Sequence, residues 1–139
     1  MKNRIPISKI MTRNVVTLDF ADTLEHAEAM FKKYKIRHIP VVKGDEIAGM
    51  LSYTDLMRIS FADAVDEDEH YVDTVVYNMF SIEQVMASNV VTVSSDTTIK
   101  EVSEILAQRE FHALPVVDNN KLVGIVTTTD LINYLIDQL

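Results

Sequence analysis

The sequence has no cysteine and no tryptophan, and only three glycines and three prolines in 139 residues. Without cysteine there is no disulfide framework, thiolate zinc site, iron–sulfur cluster or cysteine nucleophile. A chain without thiols suits a reducing compartment, and a cytoplasmic location is expected. Three isolated glycines leave no glycine-rich phosphate loop of either common type. Basic residues are the minority, 13 Lys and Arg against 21 Asp and Glu, for a net charge of −8. No Lys/Arg block occurs, so binding to nucleic acid or to an anionic membrane is not expected. No apolar run reaches the ~18 residues of a membrane span. Met1 to Met11 lacks the apolar core and small-residue cleavage site of a signal peptide. What remains is 47% hydrophobic and 24% charged. A globular chain of this size buries enough surface to fold without metal or disulfide staples.

What the sequence does contain is itself, twice. At an offset of 75 residues it aligns on itself without a gap from Ile7 to Ser60. Ile7 matches Ile82, Met11 matches Met86, and Asn14-Val15-Val16-Thr17 matches Asn89-Val90-Val91-Thr92. Pro40-Val41-Val42 matches Pro115-Val116-Val117, Gly49 matches Gly124, and Thr54-Asp55-Leu56 matches Thr129-Asp130-Leu131. Self-similarity at a fixed offset marks a repeated structural unit.

Each copy reads in the same order. A short β-type run comes first, Val15 to Leu18 or Val90 to Val93. A helix follows, capped by Asp22 or Thr23 in the first copy and by Thr98 in the second, where Glu101 completes the pattern of a capping box. Leu24, Ala27, Met30, Phe31 and Tyr34 share one helical face, as do Ile99, Val102, Ile105 and Leu106. Two strands are predicted next. Ile39 to Val42 turns at Lys43-Gly44-Asp45-Glu46 into Ile47 to Leu51, and Leu114 to Val117 turns at Asp118-Asn119-Asn120-Lys121 into Leu122 to Val126. Gly and Asn tolerate the positive φ of tight turns. A second helix starts near Thr54 or Asp55 and near Thr129 or Asp130. The expected fold class is α/β, of the α+β type: two β-α-β-β-α repeats with pseudo-two-fold symmetry. Residues 1–60 form repeat one, 61–81 a linker and 82–139 repeat two. The linker opens on the solvated acidic run Asp63 to His70. It continues as an apolar stripe, Tyr71 to Phe80, expected to cover the module or to meet a partner.

At these residues the sequence resembles a tandem pair of CBS (cystathionine β-synthase) domains, a Bateman module. The carrying motifs are Met-x-x-x-Val-Val-Thr near each start and His-x-Pro-Val-Val or Ala-Leu-Pro-Val-Val in the middle. Gly-Met-Leu-Ser-Tyr-Thr-Asp-Leu or Gly-Ile-Val-Thr-Thr-Thr-Asp-Leu completes each copy. The resemblance implies binding and not catalysis, with no obligatory cofactor. Its ligands are adenosine-containing effectors: AMP, ADP, ATP, S-adenosylmethionine or cyclic di-AMP. It also implies a homodimer and a regulated partner protein, so that the signal acts in trans.

Carried over residue by residue, the resemblance implies two grooves. In the first, Asp130 accepts hydrogen bonds from the ribose hydroxyls, with Thr127 and Thr129 beside it. Val16, Ile36, Arg37, His38 and Met11 surround the adenine, and His112 approaches the phosphates. In the second, Asp55 holds the ribose beside Ser52 and Thr54. Val91, Phe111, His112, Ala113 and Met86 surround the adenine, and Arg37 or His38 reaches the phosphates. A carboxylate suits two vicinal hydroxyls, because it only accepts and they donate. A guanidinium gives phosphate a permanent forked charge.

Plainer roles compete. Thr54-Asp55 and Thr129-Asp130 also suit helix caps. His38 and His112 suit half-buried positions beside strands, and Arg37 suits a surface ion pair. Asp66 and His70 lie four apart, but a solvated acidic run explains them better than a metal site. Met11, Met30, Met50, Met57, Met79 and Met86 read as packing. Two other functions stand beside the sensor: a ligand-free interaction or structural protein that uses the linker surface, and a nucleotide-processing enzyme. The sequence offers the enzyme no nucleophile–base pair, metal-ligand set or phosphate loop.

Overall fold

The computed structural model describes residues 4–62 and 77–139. The acidic run Asp63 to His70 and the stripe from Tyr71 to Val76 lie outside the described residues. The element order is β1 (Leu18–Asp19), α1 (Leu24–Tyr34), β2 (His38–Lys43), β3 (Glu46–Ser52), α2 (Tyr53–Ala62), α3 (Ile82–Val85), α4 (Ile99–Gln108), β4 (Ala113–Asp118), β5 (Lys121–Thr127) and α5 (Thr128–Gln138). The mixed α/β class is the one expected.

These elements gather into two compact units that do not follow chain order. One holds Val16–Gly44 and Ala48–Asn89; the other holds Met1–Val15, Asp45–Ile47 and Val90–Leu139. Each copy's opening segment therefore belongs to the other copy's unit. Ile82 and Met86 are buried with Leu18, Leu24, Phe31, Ile39, Val41, Leu51 and Leu56. Ile7 and Met11 are buried with Val93, Ile99, Val102, Leu114, Val116 and Val126. Full burial of one such aliphatic side chain contributes about 1.5–3 kcal/mol.

The first unit is built on the sheet β1-β2-β3. Strand β1 runs parallel to β2, with Leu18 opposite Val41 and Asp19 opposite Val42. The predicted run Val15 to Leu18 is thus mostly approach: only Leu18 and Asp19 join the ladder. Thr23 caps α1 by accepting from the His26 N–H at 3.1 Å. Leu24, Ala27 and Phe31 are buried on one face as predicted, whereas Tyr34, at the last turn, is exposed. Met50 and Ala87 exchange backbone hydrogen bonds of 3.0 and 2.9 Å, which bind the segment after α3 to β3. Tyr77 is buried and donates to Glu28 Oε2 on α1. Met79 and Phe80, which continue the apolar stripe, are exposed, so Met79 is not a packing residue here.

The second unit repeats the plan. Strands β4 and β5 pair antiparallel from Ala113↔Thr127 to Asp118↔Lys121, with a register shift at Val116/Val117. Asn119 (φ 50°) and Asn120 (φ 67°) make the turn in the left-handed region that asparagine tolerates. Val93 forms a parallel bridge with Val116 where the first unit has β1. Thr12 and Ile125 exchange hydrogen bonds of 2.8 and 3.0 Å, the counterpart of the Met50–Ala87 pair. Thr98 accepts from the Glu101 N–H at 3.1 Å. Reciprocal capping boxes form elsewhere, at Ser81 with Gln84 and at Thr127 with Asp130.

Candidate functional site

In each unit a strand runs directly into a helix, and the junction carries the predicted aspartate. Ser52 closes β3 and its Oγ accepts from the Asp55 N–H at 3.0 Å. Thr127 closes β5 and its Oγ1 accepts from the Asp130 N–H at 3.2 Å. A second bond fastens each junction to the chain ahead of the preceding strand. The Tyr53 N–H donates to the Arg37 carbonyl at 2.8 Å, and the Thr128 N–H donates to the His112 carbonyl at 3.0 Å. The fold thus brings Ile36, Arg37 and His38 beside Ser52, Thr54 and Asp55. By the same bond it brings Phe111, His112 and Ala113 beside Thr127, Thr129 and Asp130.

The two carboxylates are not in the same state. Both are half-buried. Asp130 Oδ2 accepts from the Thr127 N–H at 3.0 Å, the return half of the capping box. Asp55 Oδ1 faces Arg58 Nη1 at 3.4 Å. The counterpart of Arg58 in the second repeat is Asn133. The carboxylate takes part in the cap at Asp130, whereas at Asp55 the Ser52 hydroxyl accepts from the helix start and the carboxylate pairs with Arg58 instead. No motif in the sequence points to Arg58, although its position three residues after Asp55 on a helix is the spacing at which such pairs form.

The remaining predicted residues fall into three settings. Val16 and Ile36 are half-buried against the first unit's core, and Val91 and Phe111 against the second's. Met11 and Met86 are buried, and each lies over a glycine of its own unit: Gly124 for Met11 and Gly49 for Met86. Arg37, Thr54, His112 and Thr129 are exposed, His38 is half-buried and Ala113 is buried. Beside the Asp55 junction a cavity of about 760 Å³ opens, with Arg37, Tyr53, Thr54 and Arg58 among its lining residues. Among the described residues no helix is long and apolar enough to cross a membrane, and no cluster of three or more His, Asp or Glu side chains could hold a metal ion.

Comparison with known proteins agrees with this geometry. The family model described as CBS domain matches residues 7–62 and again 82–137. The CBS domain-containing protein YhcV of Bacillus subtilis is 28% identical over 125 residues, 90% of this chain and 81% of that protein. Other curated relatives are longer: the chain spans 46% and 32% of two proteins of Methanocaldococcus jannaschii. The solved structure of CBSX2 in complex with AMP superposes with a TM-score of 0.79 at 18% identity, over 96% of this chain and 98% of that one. The CBS domain pair of protein MJ0100, in complex with 5-methylthioadenosine and S-adenosyl-L-methionine, gives 0.78 at 21% identity, over 96% and 98%.

Proposed function

The chain belongs to the CBS domain family, and from that premise we propose that it is a regulatory binding module for an adenosine-containing ligand. The observation that carries this reading is the doubled junction. Ser52 and Asp55 in one repeat, Thr127 and Asp130 in the other, are bonded alike to each other and flank Tyr53 and Thr128, whose N–H groups donate to the Arg37 and His112 carbonyls. At each junction the carboxylate accepts the two ribose hydroxyls, since it is an acceptor facing two donors. Asp130 commits Oδ2 to the Thr127 N–H, which leaves Oδ1 for the ribose. Thr54 and Thr129 stand exposed at the start of their helices, where N–H groups and the helix dipole favour an anion. Arg37 supplies charge, and Arg37 and His112 hydrogen bonds, for the phosphates. Proteins of similar fold hold AMP or S-adenosyl-L-methionine, and this chain takes a ligand of the same class.

The output acts on a partner, and the exposed apolar face of α5 supports association with a second copy. Ile132, Leu135 and Ile136 are 56%, 58% and 59% exposed at helical spacing. The same face favours a second reading, a ligand-free interaction protein.

Thermal melting against AMP, ADP, ATP, S-adenosylmethionine and cyclic di-AMP, with GTP as control, separates the two. A ligand at 100 times its dissociation constant stabilises the native state by about 2.7 kcal/mol, a midpoint rise of several degrees. Such a rise with adenosine ligands, reduced in Asp55→Asn and Asp130→Asn, supports the sensor. No rise with any of them leaves the interaction protein.

A further inference from the structure

The two strand–helix junctions share one backbone plan and differ in what their carboxylates face. Ser52 and Thr127 accept alike from the Asp55 and Asp130 N–H groups. Both aspartates are half-buried, so burial does not separate them. Their partners do. Asp130 Oδ2 accepts from the Thr127 N–H at 3.0 Å. That donor is neutral and belongs to the backbone of the junction itself, so the carboxylate is held in place and keeps its whole charge. Asp55 Oδ1 instead accepts from Arg58 Nη1 at 3.4 Å. A guanidinium is always charged and cancels the charge of the carboxylate it pairs with.

A hydroxyl bonds more strongly to an ionised acceptor than to one whose charge is already met. At Asp130 a ribose finds a charged oxygen in a fixed orientation, and preorganisation lowers the cost of binding. At Asp55 the ribose competes with Arg58. The Arg58 side chain is 74% exposed and lines the cavity beside the junction, so the pair forms on the open side of Asp55. The fold does not depend on a cation at this step of the helix. The equivalent residue of the second repeat is Asn133, exposed and uncharged.

We propose that Arg58 is a specificity-determining residue that makes the two junctions unequal. The Asp130 junction takes the adenosine ligand first, and the Asp55 junction takes it only when Arg58 swings away. The proposal rests on the nucleotide-binding reading and adds to it an order of filling.

The test is titration of the full chain with adenosine, followed by amide chemical shifts. Adenosine carries both ribose hydroxyls and no phosphate, so attraction between Arg58 and a phosphate does not enter. The Thr129 and Asp130 amides are expected to shift at lower concentration than those of Thr54 and Asp55. Arg58→Asn gives the first junction the residue of its counterpart. It is expected to tighten the Asp55 junction about fivefold, the upper end for an exposed ion pair. Asn133→Arg places a guanidinium three residues after Asp130 and is expected to weaken that junction by about as much. Arg58→Lys keeps the charge and is expected to keep the Asp55 junction weak, which a packing role alone would not do. Arg58 and Asn133 are both exposed, so these variants fold. Equal affinity at the two junctions of the wild type, or an Asp55 junction unmoved by Arg58→Asn, overturns the proposal and leaves the nucleotide reading standing. If adenosine moves neither junction in any of these proteins, the ribose contact is absent and the nucleotide reading falls with the proposal.

Discussion

Met86 occupies the space that a side chain on Gly49 would need. A Cβ added at Gly49 meets the Met86 sulfur, and it falls 2.7 Å from the Ala87 carbonyl oxygen. That carbonyl cannot retreat without stretching the 3.0 Å bond it accepts from the Met50 N–H. Met11 stands in the same relation to Gly124, where an added Cβ lies 2.7 Å from the Met11 sulfur and 3.0 Å from the Thr12 carbonyl oxygen. The glycines are the seats on which each copy's opening segment rests.

Gly49→Ala is therefore expected to destabilise the fold by about 1–3 kcal/mol, the range for overpacking a tight contact. Gly124→Ala is expected to cost less, because its added Cβ stands 3.0 Å from the backbone carbonyl where that on Gly49 stands 2.7 Å away, and the flexible methionine at each site gives more readily than backbone. Urea unfolding of both variants against the wild type measures the difference. Equal and negligible losses would mean that the opening segments are not seated on these glycines.

Most of this fold was readable from the sequence, because the repeat doubles each signal. Thr23 and Thr98 cap the helices predicted from them, and the Asn119-Asn120 turn sits where asparagine chemistry placed it. The exchange of Ile7 and Met11 for Ile82 and Met86 between units was not readable. Periodicity assigns an apolar residue to a core but does not say which core, and the two copies offer equivalent ones. Tyr34 misled for a related reason. It keeps the helical spacing but sits at the end of α1, beyond the buried stripe. At the two strand–helix junctions the sequence places both aspartates at helix starts, as the structure does, but it does not point to Arg58, because no motif specifies a partner that only one copy carries.

Asp118 gives the fold a pH-dependent contact. The hydroxyl and backbone N–H of Ser95 hold its carboxyl below the ordinary value of 3.8, and the N–H lies 3.0 Å from Oδ1. A carboxyl lowered on folding contributes stability that is complete above its unfolded pKa and is lost as pH falls through the folded one. Wild type and Asp118→Asn are expected to differ by a constant amount at neutral pH and to converge in acid below about pH 4. Thermal midpoints of both proteins across that range check this, and a gap that persists at low pH would exclude the contact as its source.

Lys35 closes α1 in the left-handed region, and its backbone carries a prediction about stability. At φ 54° a lysine is strained relative to glycine. Lys35→Gly is expected to raise stability, by up to about 1 kcal/mol. Chemical denaturation measures it, and a loss of stability would mean that the Lys35 side chain contributes more to the fold than its backbone costs.

At Asp130 cap and ligand roles can be separated. Oδ2 accepts from the Thr127 N–H at 3.0 Å while Thr127 Oγ1 accepts from the Asp130 N–H at 3.2 Å. Thr127→Ala removes one half of this box and is expected to cost about 1 kcal/mol. Asp130→Asn keeps an acceptor oxygen for the cap but replaces the other with an amide, which donates where the ribose hydroxyls also donate. Its stability is expected to stay within about 0.5 kcal/mol of wild type, while its melting response to adenosine ligands falls. Paired measurements of unbound stability and ligand-induced shift distinguish the roles. If Asp130→Asn lowers stability as much as Thr127→Ala and leaves the ligand shift intact, Asp130 is a cap alone, and any ligand contact must come from other residues.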